Sequence, residues 1–416
     1  MISVHVYNVE LSLACLKDSE KRDYALCHTY RYEHCYPSVP SDQCHWLDYQ
    51  ICKTDLSLIF SVSKPVLQAR KFLWWYFKMA FYFHRQSEEV LPVCLSPSVM
   101  AQKTVLVTGC SSGIGLALAV KMATDEQKRF KVYATMRNLA KKDNLIEAAG
   151  GTLGNTLEVK QLDVCSEESI RMCISSIPDR RIDILVSNAG IGLIGPIECQ
   201  TIEEMQKVMD TNFFGLVRLL KEVLPDMKKR KSGHIVIISS VMGIQGILFN
   251  DVYAASKFAV EGFCESLAIQ ALKFKLHLTL VEPGPVVTEF EKKVFEDGMK
   301  MDLSAADEET ADMFVNIYLK NYKQIFQTLG QAAEDIAEHT IKIILAENPP
   351  FRHQTNSLYA PITTLKYADP SGDLPIDTFY KMVFQHNKIF NASLNFIKLL
   401  RWRSRKSLDL GESSFQ

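Results

Sequence analysis

The sequence predicts an α/β fold whose core is a doubly wound parallel sheet. Between residues 104 and 282, short apolar runs alternate with longer stretches of helical periodicity. Such runs are typical of strands buried on both faces, and strand–helix alternation is typical of a parallel sheet covered by helices. A glycine-rich turn at residues 108–115 joins the first apolar run to the first helix. Folds of this class bind ligands at the carboxyl ends of their strands.

Each predicted element follows from the spacing of its apolar residues. The predicted strands cover residues 105–107, 132–134, 157–162, 184–186, 235–238 and 278–281. The predicted helices cover residues 113–123, 166–177, 201–229 and 252–274. Ser166, followed by two glutamates, is typical of a helix N-cap. After Glu282 a Pro-Gly-Pro turn interrupts the alternation, and mostly helical sequence at about 285–347 is expected to roof the binding site.

Three segments with different patterns divide the chain. Residues 1–99 lack sustained periodicity, so we predict a poorly structured extension ahead of one domain over residues 100–350. The aromatic segment 72–83 is too short to span a bilayer, although it is suited to lying on one. Residues 351–416 form a C-terminal segment. Within it, the basic and partly apolar stretch 390–406 predicts a helix at an anionic membrane surface, or one docked on the protein or a partner subunit.

Composition excludes several classes of protein. A net charge of -1 gives no electrostatic basis for binding nucleic acid, which requires a surplus of Lys and Arg. Six of the 11 cysteines lie in the first 100 residues, but no signal peptide precedes them and no pair has the spacing of a zinc site. We therefore expect reduced thiols, a cytoplasmic location and no metal.

The glycine-rich turn predicts a dinucleotide site. Gly109, Gly113 and Gly115 allow a tight turn and a close approach of the backbone to a pyrophosphate at the helix N-terminus. Arg137 follows the second strand, where an NAD site usually has an acidic residue. Its cationic fork, with Ser111 in the turn, suits the 2′-phosphate of NADP, although an arginine on a solvated helix start is the alternative.

A second set of polar residues predicts proton-transfer chemistry. Tyr253 and Lys257 are four residues apart, which places them on one helical face. A nearby ammonium favours the phenolate, so we expect a lowered pKa for the tyrosine. Ser240 follows the fifth predicted strand and is suited to holding a substrate oxygen, with Ser239 as the adjacent alternative. Asn188 ends the fourth strand in an Asn-Ala-Gly sequence, and Asn212 lies on the next helix.

Together these motifs resemble the short-chain dehydrogenase/reductase family over residues 100–350. The resemblance implies a Rossmann-type sheet and hydride transfer between NADP(H) and an alcohol or carbonyl. It implies a catalytic tetrad of Asn212, Ser240, Tyr253 and Lys257, with Ser240 on the substrate. The cofactor contacts that it implies are Gly109, Ser111, Ser112, Gly113, Ile114, Gly115, Arg137, Asp163, Asn188, Tyr253, Lys257, Pro283 and Gly284.

Longer stretches around these motifs are similar to the branch of the family that acts on retinoids and on 17β-hydroxysteroids. The branch implies a small lipophilic substrate, with retinal reduction by NADPH favoured and 17β-steroid oxidoreduction as the alternative. The roof sequence offers Phe290, Phe295, Met299, Met301, Met313, Phe314 and Tyr318 as apolar surface. Family members commonly pair through the two long helices, and a retinoid substrate implies peripheral membrane association, as in a photoreceptor outer segment.

Overall fold

A computed structural model describes residues 102–386, the isolated positions Ala392 and Leu394, and four short strands near the start of the chain. The chain divides into the units Met1–Phe72 and Leu73–Gln416. In the first unit, Leu13–Ala14 pairs antiparallel with Cys27–His28, and Tyr30–Tyr32 with Leu47–Tyr49. The prediction for residues 1–99 otherwise lies outside the described residues, as does that for the tail 390–406 apart from Ala392 and Leu394.

Parallel strands form the centre of the second unit. Its strands are β1 (Lys103–Val107), β2 (Phe130–Met136), β3 (Leu157–Gln161), β4 (Ile184–Ser187), β5 (Gly233–Ile238), β6 (Leu276–Glu282), β7 (Val286–Val287), β8 (Gln331–Ala332) and β9 (Arg352–Gln354). Within residues 102–386 the main sheet has the parallel order β3-β2-β1-β4-β5-β6-β9. All six predicted strands are confirmed. The chain adds β2 and β3 on one side of β1 and then adds β4, β5 and β6 on the other side. This switch in strand order leaves a crevice at the carboxyl ends of β1 and β4.

Helices cover both faces of this sheet. They are α1 (Gly113–Ala123), α2 (Asp143–Ala149), α3 (Glu167–Ser175), α4 (Ile202–Met209), α5 (Gly215–Arg230), α6 (Asp251–Lys273), α7 (Glu289–Met299), α8 (Glu308–Asp312), α9 (Lys320–Leu329), α10 (Ala333–Leu345), α11 (Ala360–Ala368) and α12 (Asp373–Tyr380). The single helix predicted over 201–229 is instead two helices joined by a π-helical turn, Asp210–Phe214. Such turns re-aim side chains and are frequent at functional sites.

Alternating strand residues divide the core into two layers. On β1, Val105 and Val107 pack in one cluster and Leu106 in the other. The first cluster includes Ile336 of α10 beside α1, so the last part of the 285–347 segment belongs to the core layer and differs from the expected roof. The polar strand β9 is absent from the prediction because Arg-His-Gln contains no apolar residue to mark it.

A third apolar cluster lies over the carboxyl ends of the strands. It is built from α7, the π-helical segment Met313–Leu319 and α9, with Phe249 from the loop before α6. Phe314 is fully buried in it, and Tyr318 and Tyr322 stack against their aromatic neighbours. We call this cluster the roof. None of the helices in the described residues is long and apolar enough to cross a bilayer.

Candidate active site

The loops after β1 and β4 are joined at the switch point by hydrogen bonds. The backbone N–H groups of Asn188 and Ala189 donate to the Thr108 hydroxyl at 3.0 and 3.1 Å. The Asn188 side-chain amide donates to the Thr108 carbonyl at 2.8 Å and to the Gly109 carbonyl at 3.2 Å. Asn188 therefore holds the glycine-rich turn in place from the neighbouring strand.

The glycine-rich turn has a shape that only glycine permits at three positions. Gly109 and Gly113 have φ values of +74° and +58°, in the left-handed region. A Cβ on Gly115 would lie 2.4 Å from the Gly109 carbonyl oxygen. α1 begins at Gly113 with no acidic residue in its first turn, and the Ser112 side chain makes no capping hydrogen bond. A helix N-terminus of this kind favours a negative charge, so the turn fits a dinucleotide pyrophosphate.

The remaining predicted cofactor residues surround this turn. Ser111, Ser112 and Ile114 are half-buried in or beside it. Arg137 is exposed at the end of β2, and no carboxylate among the described residues lies within 4.0 Å of its guanidinium. Asp163 follows β3, where its carboxylate accepts a hydrogen bond from the Cys165 backbone at 3.0 Å.

The turn after β6 completes this edge. The Pro283 carbonyl accepts a hydrogen bond from the Val241 backbone at 3.0 Å, which ties the turn to the loop after β5. A Cβ on Gly284 would lie 2.9 Å from the Tyr359 ring. Close packing therefore fixes the position of the turn that contains Pro283 and Gly284.

Asn212 lies in the π-helical turn and is fully occupied with structural hydrogen bonds. Its side-chain oxygen accepts from the Ile191 backbone at 2.8 Å, and its amide donates to the Ile191 carbonyl at 2.9 Å and to the Ser256 hydroxyl at 3.0 Å. Ser256 in turn donates to the Tyr253 carbonyl at 2.7 Å. Asn212 thus links the loop after β4 to the helix that carries Tyr253.

Ser240, Tyr253 and Lys257 come together at the carboxyl end of β5. The Ser240 hydroxyl accepts a hydrogen bond from the Met242 backbone at 3.1 Å, and its proximity to Tyr253 lowers the pKa of that phenol. Lys257 donates to the Ile238 carbonyl at 3.0 Å, and its ammonium lies 5.7 Å from the centre of the Tyr253 ring. Ser239 points elsewhere and donates to Glu261. The arrangement places Ser240 beside the phenol.

The electrostatics differ from the sequence prediction at Tyr253. Burial raises the pKa of the phenol and the charge of Glu291 raises it further, while the hydrogen bond with Ser240 lowers it. Burial also lowers the pKa of Lys257 to about 8, opposed by Glu261. The prediction of a lowered tyrosine pKa is wrong for the protein chain itself, because burial and the charge of Glu291 raise the pKa by more than Ser240 lowers it.

A buried ion-pair network behind these residues has no counterpart in the sequence prediction. Arg352 of β9 donates to Glu261 of α6, to Glu282 of β6 at 2.9 Å and to Glu265 at 3.2 Å. Burial raises the pKa of Glu282 to about 7, with a further contribution from Glu261. The sequence hints at this network only weakly, because Glu261 lies one helical turn after Lys257 on the same face.

A sequence profile of the short chain dehydrogenase family matches residues 103–298. The chain is 53% identical to human retinol dehydrogenase 8 over 294 residues, which is 71% of this chain and 94% of that protein. It is 42% identical to human 17-beta-hydroxysteroid dehydrogenase type 1 over 287 residues, which is 68% of this chain and 87% of that protein.

A solved structure has the same fold. The chain superposes on a short-chain dehydrogenase from Streptomyces avermitilis with a TM-score of 0.53 and 26% sequence identity. The match covers 64% of this chain and 94% of that one. The parallel sheet and its flanking helices therefore correspond to the fold of a short-chain dehydrogenase.

Proposed function

Because the chain belongs to the short-chain dehydrogenase/reductase family, we propose that it is an NADP-dependent oxidoreductase that reduces all-trans-retinal to all-trans-retinol. The observation that carries the chemistry is the grouping of Ser240, Tyr253 and Lys257 at the carboxyl edge. There Ser240 lowers the pKa of the Tyr253 phenol, and the Lys257 ammonium lies 5.7 Å from the centre of the ring. The identity of 53% with a retinol dehydrogenase along nearly its whole length supports the retinoid as substrate.

Each site residue has a distinct task in this proposal. A bound NADPH supplies the hydride that reduces the carbonyl carbon. Ser240 donates a hydrogen bond to the substrate oxygen, and the Tyr253 hydroxyl gives that oxygen its proton. The hydrogen bond from Lys257 to the Ile238 carbonyl holds the ammonium beside the Tyr253 ring. Asn212 keeps the loop after β4 against the tyrosine helix.

The roof suits a lipophilic substrate. Phe290, Phe295, Met301, Met313 and Tyr318 are half-buried and pack against the roof cluster. Phe314 is fully buried core and Met299 is 58% exposed, so neither has the partial burial expected of a lining residue. Half-buried aromatic and methionine side chains favour a long apolar ligand over a small polar one.

Oxidoreduction at C17 of a steroid is the alternative function. The identity of 42% with a human 17-beta-hydroxysteroid dehydrogenase favours it, and apolar roof residues suit a steroid equally well. The sequence contains no histidine between His277 and His339, so the roof has no imidazole with which to hold a steroid phenol.

Direct assay of the full chain separates these functions. NADPH oxidation is measured with all-trans-retinal and with estrone, each at matched concentrations, and repeated with NADH. We expect turnover of retinal with NADPH at the higher kcat/KM. Preference for estrone would establish the steroid alternative, and failure to oxidise NADPH with either compound would refute both.

The cofactor preference is tested at Arg137. Substituting Arg137→Ala removes the cation proposed to hold the 2′-phosphate, so KM for NADPH should rise by about 10- to 100-fold, the value of a charge-assisted hydrogen bond. KM for NADH should hardly change. Lys142→Ala removes an exposed cation five residues further along and serves as the control. An equal rise in KM for NADPH and NADH would show that Arg137 does not bind the 2′-phosphate.

We also propose that the tail holds the enzyme on a membrane surface. Leu394 is buried against Val241, Leu329 and Tyr359 of the folded domain, so the deletion begins after it. Deleting residues 395–416 removes the basic residues and the remaining apolar ones, whereas deleting 407–416 leaves them in place. Only the longer deletion should reduce sedimentation with vesicles that contain phosphatidylserine. Unchanged sedimentation after the longer deletion would show that the tail is not the anchor.

A further inference from the structure

The roof contains a carboxylate that the family tetrad does not explain. Glu291 lies in the first turn of α7, and the Tyr322 hydroxyl of α9 donates to its Oε2 at 2.5 Å. Burial raises the pKa of Glu291 to about 7, and the hydrogen bond from Tyr322 lowers it by a smaller amount. A carboxylate in an apolar cluster costs free energy that an apolar residue would not, so its presence calls for a role.

Several contacts tie this carboxylate to the start of α6, where Tyr253 lies. Asn250, three residues before Tyr253, donates to the Tyr318 hydroxyl at 2.8 Å, and the Tyr318 and Tyr322 rings are 5.8 Å apart. Phe290, the neighbour of Glu291, has its ring 6.4 Å from the ring of Tyr253. Glu291 is therefore carried against the helix of the reacting phenol.

Among the described residues, no Lys or Arg nitrogen lies within 4.0 Å of the Glu291 carboxylate. The ionisable groups that interact with Glu291 are Tyr253 of α6, Tyr318 of the π-helical segment and Tyr322 of α9. Asp251 of α6 acts on Tyr318 in the same direction as Glu291. The ammonium of Lys257 is directed to the Ile238 carbonyl. The charge of Glu291 thus acts on Tyr253, whose pKa it raises.

We propose that Glu291 is a positioning residue for the proton transfer: when ionised, it holds the Tyr253 phenol in its protonated form and so adapts the site to carbonyl reduction. The inference rests on the proposed function, because reduction requires a phenol that gives a proton and alcohol oxidation requires a phenolate that accepts one. A second negative charge close to the first is unfavourable, so an anionic Glu291 opposes the phenolate. Reduction therefore extends to higher pH, and oxidation begins at higher pH.

The variant Glu291→Gln tests this in the full chain, because it keeps the shape and removes the charge. We measure kcat/KM against pH for all-trans-retinal with NADPH and for all-trans-retinol with NADP⁺. Both profiles should move to lower pH by about one unit. Glu289→Gln, on the exposed side of the same turn, is the control and should leave both profiles in place. A role confined to packing would change the height of the profiles but not their position.

A substrate-free measurement separates failure of this inference from failure of the proposed function. The phenolate absorbance of the chain minus that of its Tyr253→Phe variant reports the titration of Tyr253 alone. Glu291→Gln should lower the pH at which this difference appears, by the same amount as the profiles. An unchanged Tyr253 titration in Glu291→Gln would overturn the inference, whichever substrate is turned over.

Discussion

Replacing Tyr253 with phenylalanine should lower retinal reduction by about 10²- to 10⁴-fold, the range over which a positioned acid contributes to a reaction. The substitution removes only the phenol hydroxyl, which is the group proposed to give its proton to the substrate oxygen. The ring keeps its position beside Phe290 and Lys257, since neither contact involves the hydroxyl. The effect should fall on kcat, because the lost proton transfer belongs to the reaction and not to binding of the cofactor.

Two measurements make this result specific. NADPH binding, followed by nicotinamide fluorescence, should survive in Tyr253→Phe, because the glycine-rich turn and Arg137, which are implied to hold the phosphates, follow other strands. Tyr133→Phe removes a hydroxyl from a buried ring on β2 and should retain full turnover. If Tyr253→Phe keeps the turnover of the unmodified chain, Tyr253 is not the acid, and the assignment of the tetrad fails with it.

The elements that sequence alone predicts are those with a local signal. The six strands and the glycine-rich turn are marked by consecutive apolar residues or by glycines at fixed spacing, so their positions are readable without knowledge of the tertiary structure. β9 carries no such signal: Arg352 and its neighbours are polar, and the strand exists because it pairs with the edge of β6. The π-helical turn around Asn212 is also missed, because the overall helical pattern of residues 201–229 predicts one continuous helix.

The parts of the site that escape prediction are pairs distant in sequence. Glu261 and Arg352 are 91 residues apart, and Glu291 and Tyr322 are 31 apart, so only the fold brings each pair together. The pKa of Tyr253 shows the same limit. Spacing identifies Lys257 as its neighbour, but burial, which raises the pKa, is a property of the packed roof. Residue types and their order therefore predict which residues form the site, whereas packing determines their pKa values.

Removing the arginine of the buried network should have the largest effect on stability. In Arg352→Met the carboxylates of Glu261 and Glu282 lose their shared partner, and their side chains are only 5% and 0% exposed. Leaving one partner of a buried ion pair unpaired costs about 3–5 kcal/mol. We expect a loss of this size in the free energy of unfolding, measured with urea at pH 7.5. Lys221→Met, which breaks an exposed pair with Glu167, should cost less than about 1 kcal/mol.

The stability lost in Arg352→Met should depend on pH. Burial raises the pKa of Glu282 to about 7, above the 4.5 of an unperturbed glutamate, so between those values the folded chain holds a proton that the unfolded chain has lost. Stability therefore falls as pH rises through this interval. Without Arg352 the pKa rises further, so Arg352→Met should lose stability more steeply above pH 7 and recover part of it at pH 5.5. Adding Glu282→Gln to the variant removes one stranded charge and should restore part of the loss at pH 7.5. A loss that neither lower pH nor this second substitution relieves would mean that Arg352 stabilises the fold by packing its side chain and not by its charge.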